Sequence, residues 1–325
     1  MGEYPKKINL EGQVRYQEHR SGWGFALDAL APLHKDDGTL FHGYLEKPFS
    51  WDLRANLTKR ILPYKQPWCG FLHGGQNHPI WFSYKSSTAH IVHQPTWMKS
   101  MSSCKGIFVL SNYSANYLRR ALPKTVKVSA LIHPTEIPDL QFSWDNWLAN
   151  KTKRVLQLGW YLRRLDSIYR LPVSHIEKIH MTTGTGHAAN MFKYEAKINA
   201  RLNKTQPYFG ITKKMGHVCN EEYDQLLSQN IGFVHLYEAS ANNAVIECIA
   251  RTTPLLINPL PAVKEYLGDD YPLYFKDLQH AAKLCQDEGA LKAAHQHMKD
   301  NPVREKLTAD HFLKTFAESE VYEGL

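Results

Sequence analysis

Residues 231–275, IGFVHLYEASANNAVIECIARTTPLLINPLPAVKEYLGDDYPLYF, decide the fold. They open with an apolar run, Gly232 to Leu236, of strand length and composition. A turn of polar and small residues follows, Glu238-Ala-Ser-Ala-Asn-Asn243. The next segment puts Val245, Ile246, Ile249 and Ala250 on one helical face, with Glu247 near its start. Thr252-Thr-Pro254 stops that helix, Leu255-Leu-Ile257 reads as a second strand, and Asn258-Pro-Leu-Pro261 turns the chain again. Strand, turn, helix and strand make a βαβ unit, which binds ligands at the carboxyl ends of its strands. Two carboxylates (Glu238, Glu247) and two asparagines (Asn242, Asn243) crowd that end. Such a set suits a polyhydroxylated, phosphorylated ligand.

Working outward, Arg154-Val-Leu-Gln-Leu158 reads as a strand that ends at Gly159 and runs into Trp160-Tyr-Leu-Arg-Arg-Leu-Asp166. A glycine-then-basic loop after a strand fits anion binding, because arginine offers a planar, bidentate fork. Arg163 and Arg164 are the candidates; the competing reading is a solvated basic face. Asn242 and Asn243 sit where a helix begins, so backbone N–H groups there would point at an anion. Either asparagine, or Ser240, would also serve as the helix cap.

The stretch 231–275 resembles the donor-binding half of GT-B glycosyltransferases, in particular those with an acidic pair spaced E-x7-E. The wording ASANNAVIECIARTTPLL and PLPAVKEYLG is also similar to family 4-like (group 1) glycosyltransferase-like proteins of large viruses, phages and microbes. The resemblance implies an α/β chain of the GT-B class, with two Rossmann-like domains facing each other across a cleft. It implies that Glu247 holds the ribose of a sugar nucleotide and that Glu238 faces the transferred sugar. Eight residues, not seven, separate the two acids. It further implies that the loop at Gly159, with Arg163 or Arg164 and a later lysine, Lys213 or Lys214, grips the diphosphate and that no cofactor is needed, the nucleotide-sugar (a UDP- or GDP-sugar, for example) being a co-substrate.

The amino-terminal half repeats the strand–turn–helix theme. Lys7 to Leu10 and Val14 to Tyr16 are weak strands, Phe25 to Leu30 a short helix, and Ile107 to Leu110 and Val126 to Ile132 clearer strands flanking a helix over 115–122. An apolar strand ends at Phe71-Leu72 in His73-Gly-Gly-Gln-Asn-His78. A histidine there either acts as base toward an acceptor hydroxyl or hydrogen-bonds the donor sugar. Gly22, Gly24, Gly74 and Ser111 are read as loop or strand-end residues facing the cleft. Farther on, a strand is expected over 176–180, and helices over 193–202, 222–228, 279–299 and 302–319. These elements place an acceptor domain at 1–138, a linker at 139–152 and a donor domain at 153–307. The final helix, about 308–325, packs back on the first domain.

With 325 residues, 43% hydrophobic and 22% charged, the chain can bury two ordinary cores. It has no apolar run of membrane-spanning length and no secretory leader, so a cytoplasmic protein is expected. Five scattered cysteines without C-x-x-C spacing fit a reducing compartment. The net charge is +8, concentrated in residues 1–150, where 17 Lys and Arg face 11 Asp and Glu. That excess serves solubility or attracts a polyanion. For the glycosyltransferase that the resemblance implies, the acceptor is either a glycan-like hydroxyl or, as the basic half would allow, a hydroxymethylated base in DNA, and a catalytically inactive GT-B binding protein is a third reading. Adjacent acids (Asp36-Asp37, Asp269-Asp270) are not a D-x-D, His90/His93 and His295/His297 lack zinc company, and no metal site is expected.

Overall fold

A computed structural model describes residues 4–15, 19–182, 186–202 and 207–325. It divides into two compact units, Met1–Glu136 with Ala239–Ala241 and Lys306–Leu325, and Ile137–Glu238 with Asn242–Glu305.

The first unit is built on strands β1 (Ile8–Asn9), β2 (Thr39–His42), β3 (Trp68–Leu72), β4 (Cys104–Val109) and β5 (Val128–Ala130), all parallel and lying in chain order. Alternate residues of β4 face opposite layers, as a strand buried on both faces requires. Phe108 joins Trp23, Phe41, Phe71, Phe312 and Phe316 on one side. Ile107 and Val109 join Phe49, Trp68 and Trp97 on the other. Phe312 and Phe316, both 0% exposed, come from the helix Ala309–Ala317, which a short last helix, Glu320–Glu323, follows after the cap at Ser319. Each such ring contributes about 1.5–3 kcal/mol of burial.

The second unit contains β6 (Arg154–Gln157), β7 (Glu177–Met181), β8 (Thr212–Met215), β9 (Ile231–Val234) and β10 (Leu255–Ile257), in the order β10-β9-β6-β7-β8. All pairs are parallel. The chain starts in the middle, winds out to β8, then returns to the other side of β6. This is a doubly wound sheet with its strand order reversing between β6 and β9. No such reversal occurs in the first sheet among the described residues.

Several expected elements take a different form. The helix expected over 279–299 is two helices, Leu278–Gln286 and Glu288–Asp300, because Asp287 Oδ1 accepts from Ala290 N at 3.0 Å and caps a new start. Thr308 likewise splits 302–319 into a 3₁₀ turn at Arg304–Leu307 and the helix Ala309–Ala317. Val14 and Arg15 form no strand, and Tyr16 lies outside the described residues. The stretch 139–152 carries a helix, Trp144–Ala149, and buries Phe142 and Trp147 in the second unit. β2, β8 and the helix Pro261–Leu267 were not expected.

Candidate donor-binding site at the strand reversal

The loops leaving β6 and β9 meet where the strand order reverses. Arg163 and Leu236 form an antiparallel bridge, Arg164 N donates to His235 O at 2.7 Å, and Tyr237 N donates to Leu162 O at 2.9 Å. The ends of two nonadjacent chain segments are thereby stitched into one surface at the carboxyl edge of the sheet.

Gly159 makes the first turn possible. Its φ is +71°, and a Cβ there would lie 2.9 Å from Arg163 Nη2. The Arg163 side chain folds back into that space. It donates from Nε to Leu158 O (3.2 Å), from Nη1 to Tyr161 O (2.6 Å) and from Nη2 to Asn242 Oδ1 (3.0 Å). It is 9% exposed and pairs with no carboxylate among the described residues. Burial lowers its pKa to about 10, opposed by the negative field of Glu247. A buried guanidinium whose hydrogen bonds all go to neutral oxygens, with Glu247 acting on it only through its field, favours an arriving anion.

Asn242, not Asn243 or Ser240, caps the helix Asn243–Arg251: its Oδ1 accepts from Ala244 N at 3.0 Å as well as from Arg163. Arg163 is thus fixed to the positive end of a helix that lies almost wholly in the core. Glu247, one turn on, is 5% exposed and accepts from Tyr223 Oη at 2.8 Å. Glu238, 9% exposed, ends the second unit's share of the β9 loop. Arg164 is exposed, its guanidinium 4.3 Å from the centroid of the Tyr237 ring.

Lys213 is not at this site. β8 places it beside Glu177, at the start of β7, where it and Arg154 of β6 both pair with that carboxylate. These residues stand at the amino ends of their strands, the opposite edge from Arg163.

Sequence reasoning missed the support beneath Glu247. Arg251, 0% exposed, donates from Nε to Asp224 Oδ1 at 2.9 Å and from Nη1 to Glu247 O at 3.1 Å. Asp224 and Tyr223 both lie on the helix Asn220–Ser228, which therefore locks the helix carrying Glu247. No local pattern announces a pair 27 residues apart.

In the first unit, His73 follows β3 with its ring stacked on Tyr44 (4.1 Å) and edge-on to Trp23 (4.3 Å). Its Nε2 lies 2.7 Å from Gly43 O, so Nε2 donates and Nδ1 remains the acceptor. Burial depresses its pKa to about 3, leaving the imidazole neutral at pH 7.

The backbone N–H groups of His73 and Gly74 do not face a ligand. Both donate to Oε1 of Glu46, at 2.7 and 2.6 Å. Gly74 is needed for close packing, since a Cβ there would stand 2.6 Å from Ser86 O. Ser111 is a cap of the helix Asn112–Ala121, and its hydroxyl is spent on Ser114 N and Oγ. Gly22 is the extended residue that precedes the helix Trp23–Leu30, whereas Gly24 lies inside that helix and not in a loop.

Glu46 had no signal in the sequence. It is 2% exposed, its Oε2 has no partner, and burial raises its pKa to about 7. A carboxyl raised on folding favours the fold fully below its unfolded value, near 4.5, and loses that contribution as pH rises through 7. Melting curves of wild type and Glu46→Gln from pH 4.5 to 8 should show the wild type losing stability relative to the variant. Parallel curves would contradict the assignment.

Among the described residues, Glu11, His34 and Asp36 bring ligating atoms within 4.8 Å of one another. That group is at the surface, and His34 already accepts from Leu10 N and faces Asp36. A groove of about 540 Å³ lined by Trp144, Lys292, His295 and Lys299 shares no residue with the strand-end site.

No protein-family model and no curated protein matches the chain. Solved structures do. Sucrose-phosphate synthase from Thermosynechococcus elongatus superposes with a TM-score of 0.60 at 13% identity, over 91% of this chain and 75% of that one. The fold is GT-B. Anabaena Alr3699/HepE in complex with UDP and glucose gives 0.58 at 11% identity, over 91% and 81%. A mutant of TarM from S. aureus, in complex with Fondaparinux, alpha-GlcNAc-glycerol and UDP, gives 0.57 at 12%, over 91% and 58%. The chain spans less than two-thirds of TarM and of pneumococcal GtfA, at 58% and 59% of their lengths. No helix among the described residues of this GT-B chain is long and apolar enough to cross a membrane.

Proposed function

We propose that this GT-B chain is a glycosyltransferase that moves a sugar from a nucleoside-diphosphate sugar to an acceptor hydroxyl, with retention and without a metal. The observation that carries this reading is Arg163: a buried cation lacking a carboxylate partner, tied through Asn242 to a helix amino terminus at the strand reversal. A diphosphate supplies the missing negative charge. The structural neighbours with UDP support a uridine donor.

Breaking the bond between the anomeric carbon and the β-phosphate oxygen sends the electron pair to that oxygen. Arg163 and the N–H groups of the helix Asn243–Arg251 stabilise the charge as it develops. The acceptor oxygen attacks the same face of the anomeric carbon, and its proton passes to the departing phosphate. Glu247 accepts from the pentose hydroxyls, and Glu238 holds the transferred sugar. His73, neutral and with a conjugate acid near pKa 3, is too weak a base for an inverting route; we assign its Nδ1 as an acceptor for a sugar hydroxyl. The acceptor is a glycan-like hydroxyl in this reading. Salt-sensitive binding to DNA carrying hydroxymethylated bases would move it to nucleic acid.

The test is a thermal-shift screen against UDP, GDP, ADP, CMP and their sugars. At a hundredfold excess over Kd, a bound donor adds about 2.7 kcal/mol. Glu247→Ala should abolish the shift given by the matching donor. A full shift in that variant would remove Glu247 from the site, and no shift with any nucleotide would sink the donor reading.

A further inference from the structure

Glu195 lies on the helix Gly186–Arg201, whose sequence suggested no role in binding, and it is 0% exposed. Its two oxygens reach two different loops. Oε2 accepts from the backbone N–H of Asp166, at the end of the loop that carries Arg163 and Arg164, at 3.0 Å. Oε1 accepts from Tyr237 Oη, on the loop that carries Glu238 and Asn242, at 2.5 Å. The Tyr237 ring is the surface on which the Arg164 guanidinium stacks. We propose that Glu195 is the positioning residue of the donor site: one buried carboxylate, bonded to both loops, sets their spacing and the plane on which Arg164 rests. The inference rests on the donor reading above for its catalytic meaning, but the bridging itself does not.

A merely structural glutamate on a helix would be expected to pair with a cation or with its own helix. Glu195 does neither; Arg170, the nearby cation, pairs with Asp166 Oδ2, which also accepts from Asn199 Nδ2 at 2.9 Å. The groups facing Glu195 are Asp166, Tyr237 and Tyr208, with Arg164 stacked on the Tyr237 ring and Arg170 paired with Asp166. Burial, and then the Asp166 charge, raise the Glu195 pKa to about 7. A carboxyl whose pKa is raised while it is buried between the loops is held protonated there, and opening the loops returns it toward its ordinary value, so ionisation as pH rises through 7 weakens the bridge. Coupling between the loops should therefore weaken from pH 6 to pH 8.

Two measurements on the full chain decide this. Hydrogen exchange, corrected for intrinsic pH dependence, follows peptides covering 159–166 and 236–243 in wild type, Glu195→Gln and Tyr237→Phe. The expected result is faster exchange at pH 8 than at pH 6 for both loops in wild type, by about tenfold (the linkage of one carboxyl whose pKa near 7 falls on opening), and no such pH difference in Glu195→Gln. Tyr237→Phe should loosen 236–243 and leave 159–166 protected, with the rest of the chain unchanged. If both variants exchange like wild type at both loops, the proposal is overturned. In the second measurement, UDP-glucose, which has no phosphate group titrating between pH 6 and 8, is titrated at both values. Wild type should bind more tightly at pH 6 and Glu195→Gln equally at both. If wild type binds neither UDP-glucose nor any other nucleotide or sugar nucleotide of the thermal-shift screen, the donor reading and the positioning role built on it are contradicted, while the exchange data still decide whether Glu195 couples the loops.

Discussion

Arg163→Gln is expected to lower kcat/KM for sugar transfer by about 1,000-fold, the loss seen when a preorganised stabiliser of developing charge is removed. The reason is local. A glutamine side chain in that place cannot span Leu158 O, Tyr161 O and Asn242 Oδ1 at once, and it carries no charge to meet the departing phosphate. Arg163→Lys keeps the charge but not the fork, so its activity should fall between wild type and the glutamine variant. Steady-state kinetics, with circular dichroism and melting temperature as folding controls, provide the check. A folded Arg163→Gln protein with wild-type kcat/KM would show that Arg163 only ties the two loops together.

The largest expected effect on stability is at Asp224. Asp224→Ala leaves the Arg251 guanidinium buried without its carboxylate, which costs roughly 3–5 kcal/mol. For a chain of this size that lowers the melting temperature by on the order of 10 °C. The loss should reach function too, because Arg251 and Tyr223 hold the helix that presents Glu247. Replacing both partners, as Asp224→Leu with Arg251→Met, should recover most of the stability, since no unpaired charge remains. Calorimetric melting of the single and double variants distinguishes these outcomes. Equal melting temperatures for wild type and Asp224→Ala would mean that Arg251 finds another acceptor.

What was legible in the sequence was whatever depended on neighbours in the chain. The apolar run at Phe233, the helix start within Ser240–Asn243 and the glycine before a basic loop each declare themselves within a few residues. Gly159 and Arg163 are four apart, and the backbone at Gly159 turns to admit that one side chain. Contacts made across the sheet left no such mark. Lys213 read as a phosphate ligand because spacing along an edge strand does not say which end of the sheet a side chain occupies. β8 itself, Thr-Lys-Lys-Met, is too polar to be read as a strand, and its register comes from β7. Gly24 read as loop because a glycine-rich string looks the same whether it precedes a helix or begins one. Glu46, Asp224 and Tyr223 are single polar residues whose partners lie 24 to 28 positions away, and only folding brings them there.

The most direct test of the donor site is a crystal structure of the protein grown with UDP. The diphosphate should lie against Arg163 and the first turn of the helix Asn243–Arg251, with the ribose hydroxyls on Glu247. UDP bound elsewhere, with the Arg163 guanidinium and that helix start untouched, would contradict the account.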